Sequence, residues 1–244
     1  ISCSVLQHMN PKRTLHGNDP FKARGSGAQK TSQSFDRKEG QAMDFSLTEN
    51  QIMIRDSVRE FAENELLPKY QHWDRSGDWL SQDYMKKIVD MGLLRLRLPE
   101  KFGGQGYSFV DCGIVCEEIG RADHQIRYIV SNAIHLGEMA HAMHPDLQQE
   151  WIPRIAGGEM MSLAFTEPRG GADAGNITTK AVRDGDHWIL NGEKTSITFT
   201  GVSKVVFVSA RTGGPGPRGL SFFLVPTDTP GVKMVNFDRM GQRI

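Results

Sequence analysis

Two stretches carry residue types and spacings that could do chemistry. The first is Thr166-Glu167-Pro168-Arg169-Gly170-Gly171-Ala172-Asp173; the second is Asn191-Gly192-Glu193-Lys194-Thr195-Ser196-Ile197-Thr198. The first follows an apolar, strand-like run ending at Phe165 and cannot continue it. Pro168 has no N–H, and Gly170-Gly171 lets the backbone approach something bulky. Successive outward N–H groups in such a turn form a concave anion site suited to a phosphate. Thr166 and Thr198 would place hydroxyls at the ends of two strands. A planar heterocycle with a polar edge and a pyrophosphate tail suits such a place. The same residues also read as a Gly-rich hairpin that holds nothing, because glycine is common turn punctuation.

Other chemistry-bearing residues are scattered. Glu100, Glu117 and Glu118 have the types for acid–base work, but loop and helix-face carboxylates are ordinarily solvated. Glu167 and Asp173 are expected to order their loop as acceptors rather than to catalyse. Cys112 and Cys116 lie one helical turn apart with no second pair to complete a metal site, so no metal is expected; Cys3 stands alone.

The elements that must position these residues can be read from the whole chain. It has 244 residues, enough for one large or two small domains, and 29 basic residues against 29 acidic ones. That balance gives no overall field for nucleic acid or an anionic membrane. No apolar run reaches the length of a membrane span. Residues 1–42 are polar and basic, without helical or strand periodicity and without the apolar core of a secretory signal, and are expected to be a disordered tail or non-native leader. Met43 is a plausible start.

From 43 to 158 the apolar period is helical. Capping boxes at Ser46 and Thr48 open a helix that Pro68 ends. Further helices are expected from Ser81, Ser108, Asp123 and Pro145, stopped at Gly157-Gly158. From 159 to 244 the period becomes two. Strands are expected at 160–166, 177–183, 187–191, 194–199, 204–211, 220–226 and 232–237, with Asp184-Gly185 and Asn191-Gly192 as hairpin turns. An all-α domain followed by an antiparallel, barrel-like β domain is the expected fold, class α+β. Strands do not alternate with helices, which argues against a dinucleotide site of the βαβ kind. Gly213–Gly219 lacks the helix and the Lys-Ser/Thr of a nucleotide phosphate loop.

The two opening stretches resemble the flavin-binding signature of the acyl-CoA dehydrogenases, Thr-Glu-Pro-x-Ala-Gly-Ser-Asp followed about twenty residues later by Asn-Gly-x-Lys-x-Trp-Ile-Thr-Asn. Thr166, Glu167, Pro168, Gly171, Asp173, Asn191, Gly192, Lys194, Ile197 and Thr198 match it. Pro99-Glu100 with Gly103-Gly104 and Gly106, Glu118-Ile-Gly-Arg121, and Trp151-Ile-Pro153 through Gly158-Glu159 resemble the family's helical domain. The resemblance covers about 43–244.

It implies an FAD enzyme that dehydrogenates an acyl-CoA thioester between its α and β carbons. On matching positions, Phe165 and Thr166 would face the flavin's pyrimidine and N5 edge. Gly171 and Ala172 would meet the pyrophosphate, Ser196 and Ile197 would flank the ring, and Thr198 would bond near N5 or O4. Ala172, His135 and Arg243 would serve the acyl-CoA. His135 also reads as an ordinary solvated or core histidine, and Arg243 as half of a surface ion pair. The family's catalytic carboxylate, in a C-terminal helical bundle, has no counterpart here, so a fragment is expected and no residue is assigned as the base. Electron-transfer flavoprotein as acceptor and a homodimer or homotetramer are likewise implied, as is a bacterial cytoplasmic location, or the mitochondrial matrix in a eukaryote.

Two departures matter. Ser196 stands where the family has Trp, removing a ring that covers one flavin face, and Ala172 stands where it has Ser. The Glu-Lys-Thr-Ser-Ile-Thr run resembles members acting on cyclic or aryl-substituted acyl groups. A non-catalytic flavin- or CoA-binding relative, an acyl-CoA oxidase and a flavin monooxygenase share the fold and stand as alternatives.

Overall fold

The computed structural model describes residues 44–235, together with the backbone of Ser2–Gln7. Among the described residues, six α-helices lie in sequence between the first strand of a curled mixed sheet and its other six strands. α1 (Glu49–Phe61) is opened by the Thr48 hydroxyl, which accepts from the Gln51 N–H while the Gln51 side chain returns to the Thr48 N–H. A single π turn, Ala62–Leu66, extends it. α2 (Tyr70–Ser76), not anticipated from the sequence, ends on Gly77 in the left-handed conformation. α3 (Gln82–Asp90) is capped by Ser81, α4 (Phe109–Ala122) by a Ser108–Asp111 box. α5 (His124–Ala140) is capped by Asp123, and α6 (Pro145–Ala156) carries Pro145 in its first turn.

The strands are β1 (Ser2–Gln7), β2 (Met161–Ala164), β3 (Lys180–Asp184), β4 (His187–Glu193), β5 (Val205–Arg211), β6 (Leu220–Pro226) and β7 (Val232–Lys233). β3–β4, β4–β1, β1–β7 and β5–β6 are antiparallel. The expectation of a purely antiparallel sheet needs correcting, because β2 and β3 both run parallel to β5. They share one edge of it end to end: β2 stops opposite Val208 and β3 begins opposite Arg211. The excursion between them, 165–179, contains the first motif.

Three more expectations change. Ser2–Gln7, placed in a disordered tail, forms a strand against β4 and β7. Asn191-Gly192 is not a turn but lies inside β4. Gly192 is needed there because a Cβ would sit 2.4 Å from the Thr179 hydroxyl oxygen. Residues 194–199 form a loop rather than a strand, with Ser196 at φ 56° and Phe199 at φ 64°.

Three apolar clusters hold the chain together. One lies among α1 to α5, around Leu66, Ile88, Ile119 and Ile126, and takes in Met160 and Phe199. The second joins α5 and α6 to the sheet: Leu136, Leu147, Trp151 and Ile152 pack on Met161, Val205, Phe207 and Leu224. The third, with Ala181, Leu190, Ala210, Phe223 and Val225, lies on the other face of the curl. Alternation along β5 sends Val205 and Phe207 to the helices and Val208 and Ala210 to that inner face.

Candidate functional site

The two motifs meet. Past the end of β2, the Phe165 ring lies 5.3 Å from that of Phe222 on β6. The Thr166 carbonyl then accepts from the Thr195 N–H at 2.9 Å, so the loop after β2 and the loop after β4 touch. Glu167 and Gly170 exchange both backbone hydrogen bonds at 3.0 Å, closing a tight turn around Pro168-Arg169. Gly171 passes close to Thr166, where an added Cβ would stand 3.3 Å from the threonine methyl carbon. Gly170, Gly171, Ala172 and Asp173 are exposed. The N–H groups of Thr166, Gly171 and Ala172 donate to no described residue.

The second loop is pinned from beneath. The Ser162 hydroxyl, fully buried on β2, donates to the Thr198 carbonyl at 2.7 Å. The Ser203 hydroxyl donates to the Phe199 carbonyl at 2.8 Å. The Phe199 ring is buried and meets Trp79 edge-on at 5.5 Å. The left-handed turns at Ser196 and Phe199 let the chain reverse here, which a strand could not do. Ser196 is exposed; Ile197 and Thr198 are half-buried.

Beneath both loops lies a buried ion pair that sequence reasoning matched only as motif letters. Lys194 Nζ is 3.0 Å from Glu167 Oε1, with the two side chains 3% and 5% exposed. Lys194 Nζ also donates to the Phe165 carbonyl at 3.0 Å and to the Ser209 hydroxyl at 3.1 Å. Glu167 accepts from the N–H and the hydroxyl of both Thr178 and Thr179, at 2.6 to 2.9 Å. Burial opposes the Glu167 charge, but those hydroxyl and amide bonds prevail and hold its carboxyl at about 2. Burial pulls the Lys194 amine below the usual lysine range, with Glu167 working against the shift. Lys194 is flanked by Glu193 and Thr195 in a polar stretch, so beyond the motif match the sequence carried no signal that this lysine is buried with a carboxylate partner.

The neighbouring loops are ordered by one guanidinium. Arg211 donates to the carbonyls of Gly175, Ile177, Gly214 and Gly216. The Asn176 amide donates to Asp173, which acts as an acceptor within its loop. His135 is exposed on α5, one turn after Asn132, whose amide donates to the Met161 carbonyl. Arg243 lies outside the described residues.

The three helical carboxylates divide. Glu100 and Glu117 are exposed, but Glu118, expected to be solvated, is buried between Arg59 and Arg121. The Arg59 bond holds its carboxyl below the usual range, a structural ion pair rather than an acid or base. Burial raises the Cys112 thiol to about 11, which makes it a poor nucleophile. Among the described residues there is no group of three His, Cys, Asp or Glu that could hold a metal. No helix there is long and apolar enough to cross a membrane.

The site therefore offers backbone N–H donors without a described protein acceptor and an exposed glycine turn, with Thr166 and Thr198 on its two loops and the Glu167 carboxylate already engaged. The N-terminal domain model of the acyl-CoA dehydrogenases matches residues 48–159, and the middle domain model matches 162–243. A probable acyl-CoA dehydrogenase of Bacillus subtilis is 35% identical over 207 residues, 82% of this chain and 54% of the relative. The mouse mitochondrial short-chain specific acyl-CoA dehydrogenase is 35% identical over 203 residues, 81% of this chain and 49% of the relative. The chain thus spans about half the length of these relatives. A glutaryl-CoA dehydrogenase from Mycobacterium smegmatis, solved in complex with FADH2, superposes with a TM-score of 0.72 at 31% identity, covering 81% of this chain and 50% of that one. Through its N-terminal and middle domains, the chain belongs to the acyl-CoA dehydrogenase family.

Proposed function

We propose that the protein is an FAD-dependent acyl-CoA dehydrogenase, converting an acyl-CoA thioester to the enoyl-CoA. The observation that supports this reading best is the junction of the two motif loops, where the Thr195 N–H meets the Thr166 carbonyl. It gathers Thr166, Gly171, Ala172 and Thr198 on one pair of adjoining loops in a chain of this family.

The residues present fit the cofactor. A Cβ at position 171 would crowd Thr166, so glycine leaves the turn open. The donors around it, the Thr166, Gly171 and Ala172 N–H groups, have no described protein partner. Gly171 and Ala172 would hold the pyrophosphate, and Phe165, Thr166 and Thr198 the polar edge of the flavin, with Ser196 and Ile197 beside its ring. FAD, when bound, supplies the two-electron acceptor.

The chain's own contribution is to orient and to donate. The two threonine hydroxyls and the exposed N–H groups fix the geometry in which Cα loses a proton and Cβ a hydride. Glu167 is unsuited to take that proton, because its oxygens are filled and its carboxyl sits near 2. The base is assigned outside the described residues. Ala172, His135 and Arg243 are proposed to contact the acyl-CoA. Electron-transfer flavoprotein is the proposed acceptor, and a homodimer or homotetramer the proposed assembly. The proposed location is the cytoplasm of a bacterium or a mitochondrial matrix.

The test uses the intact protein, loaded with FAD and mixed anaerobically with straight-chain, cyclic and aryl acyl-CoAs. Bleaching of the flavin absorbance with enoyl-CoA formation is the expected result. Absence of a flavin band at saturating FAD sinks the cofactor assignment. A flavin band that no acyl-CoA bleaches sinks the reaction, and peroxide release without an added acceptor reassigns it to an oxidase.

A further inference from the structure

Lys194 and Glu167 are buried beneath the loops, so their side chains do not line the open face. With their partners they join four segments. Lys194 itself follows β4; Phe165 and Glu167 follow β2; Thr178 and Thr179 lead into β3; Ser209 belongs to β5. The Ser209 hydroxyl donates in turn to the Ala164 carbonyl. The pair sits where the edge of β5 has no strand beside it, between the end of β2 opposite Val208 and the start of β3 opposite Arg211.

The bond to Phe165 has a directional consequence. In a trans peptide the C=O and the following N–H point in opposite directions. Lys194 draws the Phe165 carbonyl inward at 3.0 Å. The Thr166 N–H of the same peptide is thereby turned away from the buried amine, toward the side where it finds no described protein acceptor. A charge on the carbonyl also polarises the peptide and strengthens its N–H as a donor.

We propose that Lys194, held by Glu167, is the positioning residue of the flavin site: it aims the Thr166 N–H outward and sets the spacing of the two loops without touching the cofactor. This rests on the flavin reading above. No other described lysine amine has both a carbonyl of the Thr166 loop and a buried carboxylate as partners.

The experiment compares the intact wild type with Lys194→Met and with Lys194→Met/Glu167→Gln, measuring melting temperature, FAD Kd and flavin reduction potential. The single variant leaves Glu167 buried without its cation, whereas the double variant leaves no unpaired charge. Lys194→Met is expected to raise the FAD Kd at least tenfold and to lower the potential, because a weaker donor stabilises the reduced flavin less. The double variant is expected to regain much of the melting temperature while its Kd and potential stay displaced. Should the single variant fail to fold, the double variant decides by itself. Recovery of Kd and potential together with stability, or unchanged values in Lys194→Met, overturns the positioning role. A wild type that binds no FAD overturns the flavin reading and this role with it, a result distinguishable from a flavin-binding wild type with indifferent variants.

Discussion

The Ser162 hydroxyl donates to the Thr198 carbonyl at 2.7 Å and stands 2.6 Å from the Ser203 hydroxyl, tying the second loop to β2. Ser162 is completely buried, so Ser162→Ala removes the donor where water cannot replace it. The cost is expected to be about 1–3 kcal/mol, the range for leaving a buried polar group unpaired. Urea unfolding measures it. The loop should also loosen, so FAD affinity should fall with stability. A change below about 0.5 kcal/mol, the scale of an ordinary surface substitution, would show that the loop is held from elsewhere.

Acid should act on the Glu167 network. Its carboxyl is held at about 2 in the folded chain against an ordinary 4.5. Between those values the unfolded chain binds a proton that the folded chain does not, so stability rises with pH across that window. The contribution is full above the ordinary value and is lost as pH falls from about 4.5 to about 2, amounting to roughly 3 kcal/mol. Glu167→Gln should be less stable than wild type at pH 7, and the gap should narrow over that window. Melting curves of both proteins between pH 3 and pH 7 provide the check; parallel curves sink the assignment.

What was legible in the sequence follows the range of the forces involved. Helix starts at Thr48, Ser81, Ser108, Asp123 and Pro145 are local capping signals and were legible. The switch from helices to strands was legible in the apolar period. The parallel pairing of β2 and β3 with β5 depends on contacts distant in sequence, which alternation along one strand cannot report. Asn191-Gly192 carries a strong local turn signal, yet Gly192 serves a close approach by Thr179 inside a strand. For the site, Thr166 was expected just past a strand end and follows β2, whereas Thr198, expected at the end of a strand over 194–199, lies in a loop. The pairing of Lys194 with Glu167, and of Glu118 with Arg59, required the fold.

Arg211 should not tolerate lysine. Its Nε donates to the Ile177 carbonyl at 3.0 Å, Nη1 to Gly214 at 2.7 Å and Gly216 at 3.1 Å, and Nη2 to Gly175. Those carbonyls belong to two loops, and a planar fork spans them where a point ammonium cannot. Arg211→Lys is expected to cost about 1–2 kcal/mol. It should also speed amide exchange at 174–177 and 213–219 while the helices keep their protection. Uniform exchange across the chain would mean that the substitution unfolds the sheet instead.

The last prediction concerns Ser196, the position where the family resemblance expects a tryptophan. Ser196 is exposed, on a backbone at φ 56°. A larger side chain there enters open space, so overpacking of the kind that penalises core substitutions does not arise. The left-handed backbone is unfavourable for any side chain, and a bulky ring suffers more than serine, so Ser196→Trp is expected to lower stability by up to about 1 kcal/mol. Its ring should nonetheless give the flavin an aromatic face. A stack of that kind contributes about 1 kcal/mol, which is roughly a fivefold tighter FAD Kd. Ser196→Ala is the control: it keeps the backbone and offers no π surface, so its Kd should match wild type. Fluorescence titration of FAD against the three intact proteins makes the comparison. If Ser196→Trp binds no tighter than Ser196→Ala, the flavin ring does not lie over this loop, and the placement of Ser196, Ile197 and Thr198 around it is wrong.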